Sequence, residues 1–253
     1  MRLSPFGLAD SALAPAPDRR RVEKLGNLPF AHRGLHFGGR VENSRAAFEA
    51  AIAAGHGIEL DVQASFDGEA MVFHDYDLLR LTGVHGAIAD RSAAELGAIR
   101  LTGTDTMPTL AQVLHIVASR VPLLIEVKSK DRRIARLCLS VYRALEGYRG
   151  PVGVMSFNPE VARWFRRNAP RVPRGLVVSE SGKRGPKGVI ERHLALWIAR
   201  PDFLAYDIRD LPSRFAAAQR RRGLALYTWT VRSESDRARA AAQADQIIYE
   251  TAR

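Results

Sequence analysis

Short apolar runs alternate along this chain with longer stretches of helical spacing. The runs read LPFAHRG, GIELDVQ, PLLIEVK, PVGVMSF, RGLVVSE, DFLAYDI, LALYTWTV and QIIYE, each about the length of a buried strand. Between most of them, apolar residues recur every three or four positions behind clear helix starts. Ser44 precedes RAAFEAAIAAG, Asn158-Pro159 precede EVARWFRR, and Ser233 precedes ESDRARAAAQ; such side chains accept from the unpaired N–H groups of a first turn. Gly55 supplies a stop for the first of these helices. Strand followed by helix, repeated about eight times, predicts an α/β fold of the TIM-barrel kind, a parallel sheet closed as (β/α)8. An open doubly wound sheet is the alternative, but no GxGxxG or P-loop glycine pattern stands at a strand-to-helix junction to give it a nucleotide site.

One run breaks the rhythm. EAMVFHD (69–75) follows GIELDVQ after only ASFDG, too short a link for a parallel crossover, and Asp67-Gly68 is a hairpin turn signal. The run is therefore expected to fold back antiparallel on the second strand, outside the count of eight, returning His74 beside Asp61. Residues 76–108 exceed an ordinary loop and predict a small helical or mixed insertion near the barrel mouth. The first ~27 residues, rich in Ala, Pro and Arg, read as a loosely ordered arm, with a single domain over 28–253.

Composition narrows the class without choosing a function. The chain has 253 residues, 46% of them hydrophobic, enough for one large core. Its formal charge of +11 suits nucleic acid, a phospholipid surface or a small phosphorylated substrate. The basic residues lie in scattered clusters (Arg19 to Arg21, Arg132 with Arg133, Arg166 with Arg167, Lys183 to Lys187, Arg220 to Arg222) without an aromatic ladder, which reads as a solvated surface and not a nucleic-acid platform. Cys138 is the only cysteine, so no intramolecular disulfide or thiolate cage is possible, and a reducing cytoplasm is expected. No export signal or membrane-span-length apolar run is seen, so no stable membrane insertion is expected.

The candidate chemistry gathers at strand ends, where barrels of this kind place their sites. Glu59 and Asp61 are separated only by Leu60, so in a strand they share one face, about 6–7 Å apart. His32 and Arg33 end the first strand, His74 closes the hairpin, and Glu126 and Lys128 end LLIEVK. Each alone has an ordinary structural reading: a half-exposed strand, a satisfied histidine, a simple ion pair. Together, three carboxylates without a thiolate suit a hard divalent cation, Ca²⁺ or Mg²⁺. Two cationic side chains suit a phosphate, and two histidines suit acid–base work near neutral pH. That set describes phosphodiester cleavage.

The ordered blocks AHRG, VENSRAAFEAAIAAGHGIELDVQASFDGEAMVFHDYDLLRLTG, LLIEVK, VMSF and YTWTV resemble the glycerophosphodiester phosphodiesterase family. The resemblance runs from Ala31 to Trp229 and implies a (β/α)8 barrel that hydrolyses small-molecule glycerophosphodiesters to glycerol 3-phosphate and an alcohol. It implies His32 and His74 as the acid/base pair, Glu59, Asp61 and Glu126 as cation ligands, and Arg33 and Lys128 as phosphate contacts. Phe157 and Trp229 would line the glycerol pocket. Glu42 would either join the ligands or hold Arg33, the second being preferred, with Asn43 beside it in a supporting place. Two departures stand out. The family usually ends in a strand like GIITDxP where this chain has QIIYETAR, leaving little final helix and giving the N-terminal arm a gap to cover; and Arg232 stands where an Asn is common. Activity on lysophospholipids or sphingophospholipids, a non-catalytic phosphodiester-binding barrel and a nucleic-acid binder are the alternatives.

Overall fold

The computed structural model describes residues 5–129 and 133–251. Arg132, the first four residues of the arm and the last two of the QIIYETAR tail lie outside the described residues.

Among the described residues, nine strands form one sheet: β1 Phe30–Ala31, β2 Gly57–Ala64, β3 Ala70–Val72, β4 Leu123–Val127, β5 Val152–Ser156, β6 Arg174–Val178, β7 Phe203–Asp207, β8 Ala225–Val231 and β9 Gln246–Tyr249. Eight of them run parallel in the order β1-β9-β8-β7-β6-β5-β4-β2, and β1 pairs with β2 to close the ring. β3 lies outside it, antiparallel to β2 with Val62 opposite Val72 and Ala64 opposite Ala70. Gly68 makes that hairpin possible in the left-handed region at φ +89°, which costs a glycine nothing. The three expected helix starts are capped as the sequence suggests: Ser44 accepts from Ala47 N, Asn158 from Glu160 N and Ser233 from Asp236 N.

The alternation along β2 decides where its acids go. Ile58, Leu60 and Val62 pack outward into the layer between barrel and helices, with Val127, Leu137 and Val141. Glu59 and Asp61 therefore face the barrel interior, where their register partners on β4 are Leu124 and Glu126. The lower interior is apolar, filled by Phe30, Leu124, Phe203, Tyr227 and Ile248 together with Val22 and Leu25. A strand buried on both faces is the normal state of a parallel barrel.

Two expectations change. Residues 5–27 dock on the barrel through the buried Asp10, Ala14, Val22 and Leu25, with most side chains between them exposed. A helix, Pro5–Leu13, carries the buried Asp10, which accepts from Trp197 Nε1 at 2.8 Å and Gln219 Nε2 at 2.7 Å and meets His193 Nδ1 at 2.8 Å. Val22 and Leu25 then plug the barrel floor. No gap at the closing seam calls for this segment, because β9 bonds β1 directly, with Phe30 opposite Ile248 and Ala31 opposite Tyr249. Residues 76–108 hold two short helices, Leu79–Thr82 and Ala93–Ala98, over a small core of Met71, Phe73, Leu78 and Leu96.

Candidate active site

A cavity of about 390 Å³ opens at the C-terminal ends of the strands, and it is lined by His32, Arg33, Glu59, His74, Glu126, Lys128, Phe157 and Trp229 among others. Carboxylate oxygens of Glu59, Asp61 and Glu126 lie within 4.8 Å of one another. Glu59 and Asp61 are each 1% exposed. Burial and the neighbouring Asp61 and Glu126 charges push the Glu59 carboxyl well above its ordinary range, and burial and Asp61 push Glu126 the same way. At Asp61 burial acts upward too, but Lys128 and Arg33 outweigh it and hold the group low. The charge sits on Asp61, and its two neighbours resist ionising. An all-oxygen donor set under mutual repulsion fits a hard divalent cation.

The surrounding groups are fixed by short links. Lys128 Nζ lies 3.1 Å from Glu126 and 3.3 Å from Asp61. Asn43 Nδ2 donates to Asp61 at 3.0 Å. Glu42 accepts from Arg33 Nη1 at 2.7 Å and from Arg80, and it is not among the clustered carboxylates, which agrees with Glu42 holding Arg33. Arg33 sits in the left-handed region at φ +56°, so its backbone N–H reaches Glu59 at 3.0 Å. Its buried Nε has no hydrogen-bond partner and lies 3.3 Å from Asp61. The turn continues through Gly34 at φ +80°, where an added Cβ would come 2.9 Å from the Ala47 Cβ. Phe157 and Trp229 meet edge to face, centroids 5.7 Å apart, and Trp229 Nε1 donates to the Ala205 carbonyl at 3.0 Å.

Both histidines carry acidic partners that the sequence reading did not assign. His74 Nδ1 is 2.7 Å from Asp75, which Arg80 also grips. Burial would raise Asp75, but the Arg80 and His74 hydrogen bonds bring it down to about 2. His32 Nδ1 is 2.6 Å from Glu250 Oε1, and His32 Nε2 faces Glu59 at 3.9 Å. Burial pushes both imidazoles below the ordinary 6.5, so each is mainly neutral at pH 7. Arg232 forks onto Glu250, Nε to Oε2 at 2.6 Å and Nη2 to Oε1 at 3.0 Å. The two departures from the family pattern are therefore one ion pair, seated behind His32. Gln63 Nε2 donates to the carbonyls of Phe73 and His74 at 3.0 Å and of Asp75 at 2.6 Å, which fixes the segment carrying His74. Asp75 had a signal in the sequence, an acid directly after a histidine. Glu250 and Arg232 had one only as oddities, 18 residues apart.

The glycerophosphoryl diester phosphodiesterase family model matches residues 32–251. A glycerophosphodiester phosphodiesterase from Caldanaerobacter subterraneus subsp. tengcongensis is 28% identical over 222 residues, covering 83% of this chain and 87% of that protein. One from Bacillus altitudinis is 39% identical over 110 residues, which is 40% of this chain and 44% of that protein. Among solved structures, an Oleispira antarctica phosphodiesterase in complex with the product sn-glycerol-3-phosphate superimposes with a TM-score of 0.77 at 24% identity, covering 88% of this chain and 93% of that one. A Silicibacter pomeroyi protein described as a putative glycerophosphoryl diester phosphodiesterase gives 0.76 at 23% identity, over 90% and 93%. These two superpositions establish the same barrel fold. With the family match spanning nearly all of the barrel, and with each block of the motif now seated around one cavity, the chain belongs to the glycerophosphoryl diester phosphodiesterase family.

Proposed function

We propose that this protein hydrolyses glycerophosphodiesters to glycerol 3-phosphate and an alcohol, with His32 and His74 as the acid/base pair and a Ca²⁺ or Mg²⁺ ion held by Glu59, Asp61 and Glu126. The observation that carries the reading is the convergence, on one cavity, of three close carboxylates, two cations and two histidines each backed by an acid. A bound cation supplies charge neutralisation and polarisation of the phosphoryl group. Lys128 and Arg33 both line the cavity, so their cationic heads are the N–H donors available to phosphate oxygens. Phe157 and Trp229 give the glycerol carbons an apolar wall beside polar walls.

The proton steps follow from the tautomers. With Glu250 accepting from His32 Nδ1–H, the Nε2 lone pair is free to take a proton from the glycerol 2-hydroxyl or from water. His74, held by Asp75 through Nδ1–H, acts from its imidazolium form, the minor species at pH 7 because burial lowers its affinity for protons; it gives its Nε2 proton to the leaving alcohol oxygen and is left neutral. Each histidine contributes roughly 10²–10⁴-fold. The test is a coupled glycerol 3-phosphate release assay on several glycerophosphodiesters and on lysophosphatidylcholine, with EDTA and metal add-back. His32→Ala and His74→Ala should each lose about 10²–10⁴-fold in kcat. Wild-type turnover in both variants would refute the roles, and indifference to EDTA would refute the cation.

A further inference from the structure

Beside the oxygen-only cluster, the fold assembles a second group of possible metal ligands: His32, His36 and Glu250, whose donor atoms lie within 4.8 Å of one another. We propose that these three residues form an inhibitory site for a borderline transition-metal ion such as Zn²⁺, which on binding takes His32 out of service as a base.

Three features support this site. The first is donor chemistry: two imidazoles and one carboxylate are a zinc ligand set, as three oxygens are one for a hard cation. The two neighbouring groups therefore differ in the ion they prefer. The second is an orphan. His36 Nε2 is buried and makes no hydrogen bond among the described residues, yet it stands 4.0 Å from Glu250 Oε1, so ligation there breaks none of the bonds described. The third is spacing. Zinc bonds of about 2.0–2.1 Å place tetrahedral donors roughly 3.3 Å apart, and the present separations of 2.6 Å for His32 to Glu250 and 4.0 Å for His36 to Glu250 bracket that value. The Gly34 turn brings His36 back to this place, with His36 N donating to the Gly34 carbonyl at 3.0 Å. The pair with Arg232 does not block entry. That guanidinium makes its shorter contact with Oε2, and its side chain is 58% exposed, so Oε1 can turn to the ion while Oε2 keeps Arg232.

Inhibition follows from a tautomer change with balanced protons. Without the ion, His32 carries its proton on Nδ1 and its lone pair on Nε2. On ligation the Nδ1 lone pair goes to the metal and the proton moves, through solvent, to Nε2. No net proton is released and nothing is oxidised. Nε2–H cannot accept the substrate's proton.

The inhibition readout rests on the proposed phosphodiesterase activity; the binding readout does not. Zn²⁺ would be titrated into Mg²⁺-loaded full-chain protein against a chromophoric zinc chelator, with glycerophosphocholine turnover followed in parallel. One Zn²⁺ should bind per chain, and turnover should fall with the same midpoint. His36→Ala should keep basal turnover and raise both midpoints by about 100-fold or more, since even outer partners of a metal site are worth 10–100-fold; His36→Gln repeats the test with less change in volume. The proposal is overturned by an unchanged midpoint in both variants, which would mean displacement of Mg²⁺ at Glu59, Asp61 and Glu126. It is equally overturned by Zn²⁺ binding that leaves turnover intact, or by no binding at micromolar Zn²⁺. If no glycerophosphodiester is turned over at all, the proposed activity fails while the chelator competition still decides the site.

Discussion

Replacing Glu59 with Gln removes one of three crowded carboxylates while keeping an oxygen to accept the Arg33 N–H, now 3.0 Å away. Two like charges 4.8 Å apart, the outer limit for these oxygens, repel by about 3.5 kcal/mol at an effective dielectric of 20. Glu59 faces two such neighbours. The relief is smaller than the sum, because its raised affinity for protons already neutralises part of the charge and because Arg33 attracts it. A net stabilisation of the metal-free protein of about 1–3 kcal/mol is expected, or roughly 2–4 °C in Tm per kcal/mol for a chain of this size. Addition of Mg²⁺ or Ca²⁺ reverses the ranking. At 100 times Kd the wild type gains about 2.7 kcal/mol, whereas Glu59→Gln, lacking a ligand, should gain almost nothing and should be inactive. Thermal unfolding with EDTA and with saturating cation measures all four states. A metal-free variant that melts well below the wild type, or one that keeps the full cation response, would refute the charge crowding and the ligand role assigned to Glu59.

Two further outcomes follow from the same groups. Because the folded Glu59 carboxyl is raised above its ordinary 4.5, its favourable contribution is present below 4.5 and lost as pH rises through the raised value; the Tm advantage of metal-free Glu59→Gln over wild type should therefore shrink on acidification, and a pH-independent difference would contradict it. Glu250→Ala should lower kcat by about 10–100-fold with little change in KM, less than the loss of His32 itself, because the imidazole remains but is no longer held in one tautomer. Steady-state kinetics with glycerophosphocholine check this, with Glu250→Gln, which keeps an acceptor oxygen, expected between the two.

Much of the site was legible because its residues are close in sequence or sit on regular strands. The period of two along GIELDVQ puts Glu59 and Asp61 on one face, and a link of only five residues ending in Asp67-Gly68 forces the hairpin that returns His74. Asn43 and Glu42 follow Arg33 by about ten residues and meet it and Asp61 across one loop. The partner of His32 was not legible. Glu250 lies 218 residues away, and only the pairing of the last strand with the first brings the two together. The N-terminal segment misled for a similar reason. Its Ala- and Pro-rich composition resembles an arm, while Asp10 is held by Trp197 and Gln219, and Val22 and Leu25 by an apolar cluster drawn mostly from distant strands, Leu124 to Ile248.

By itself, then, the sequence determined the strand and helix periods, the hairpin, the face of each strand-borne acid and the identity of the motif, because these depend on spacing within a few residues. Tertiary structure alone decided how the ring closes, which acid holds each histidine, and that Arg232 and Glu250 form one pair. Ring closure is a long-range event: hydrogen bonds between β1 and β9 set the positions of groups that no local pattern relates, and burial in the closed barrel, not the residue types, shifts their protonation.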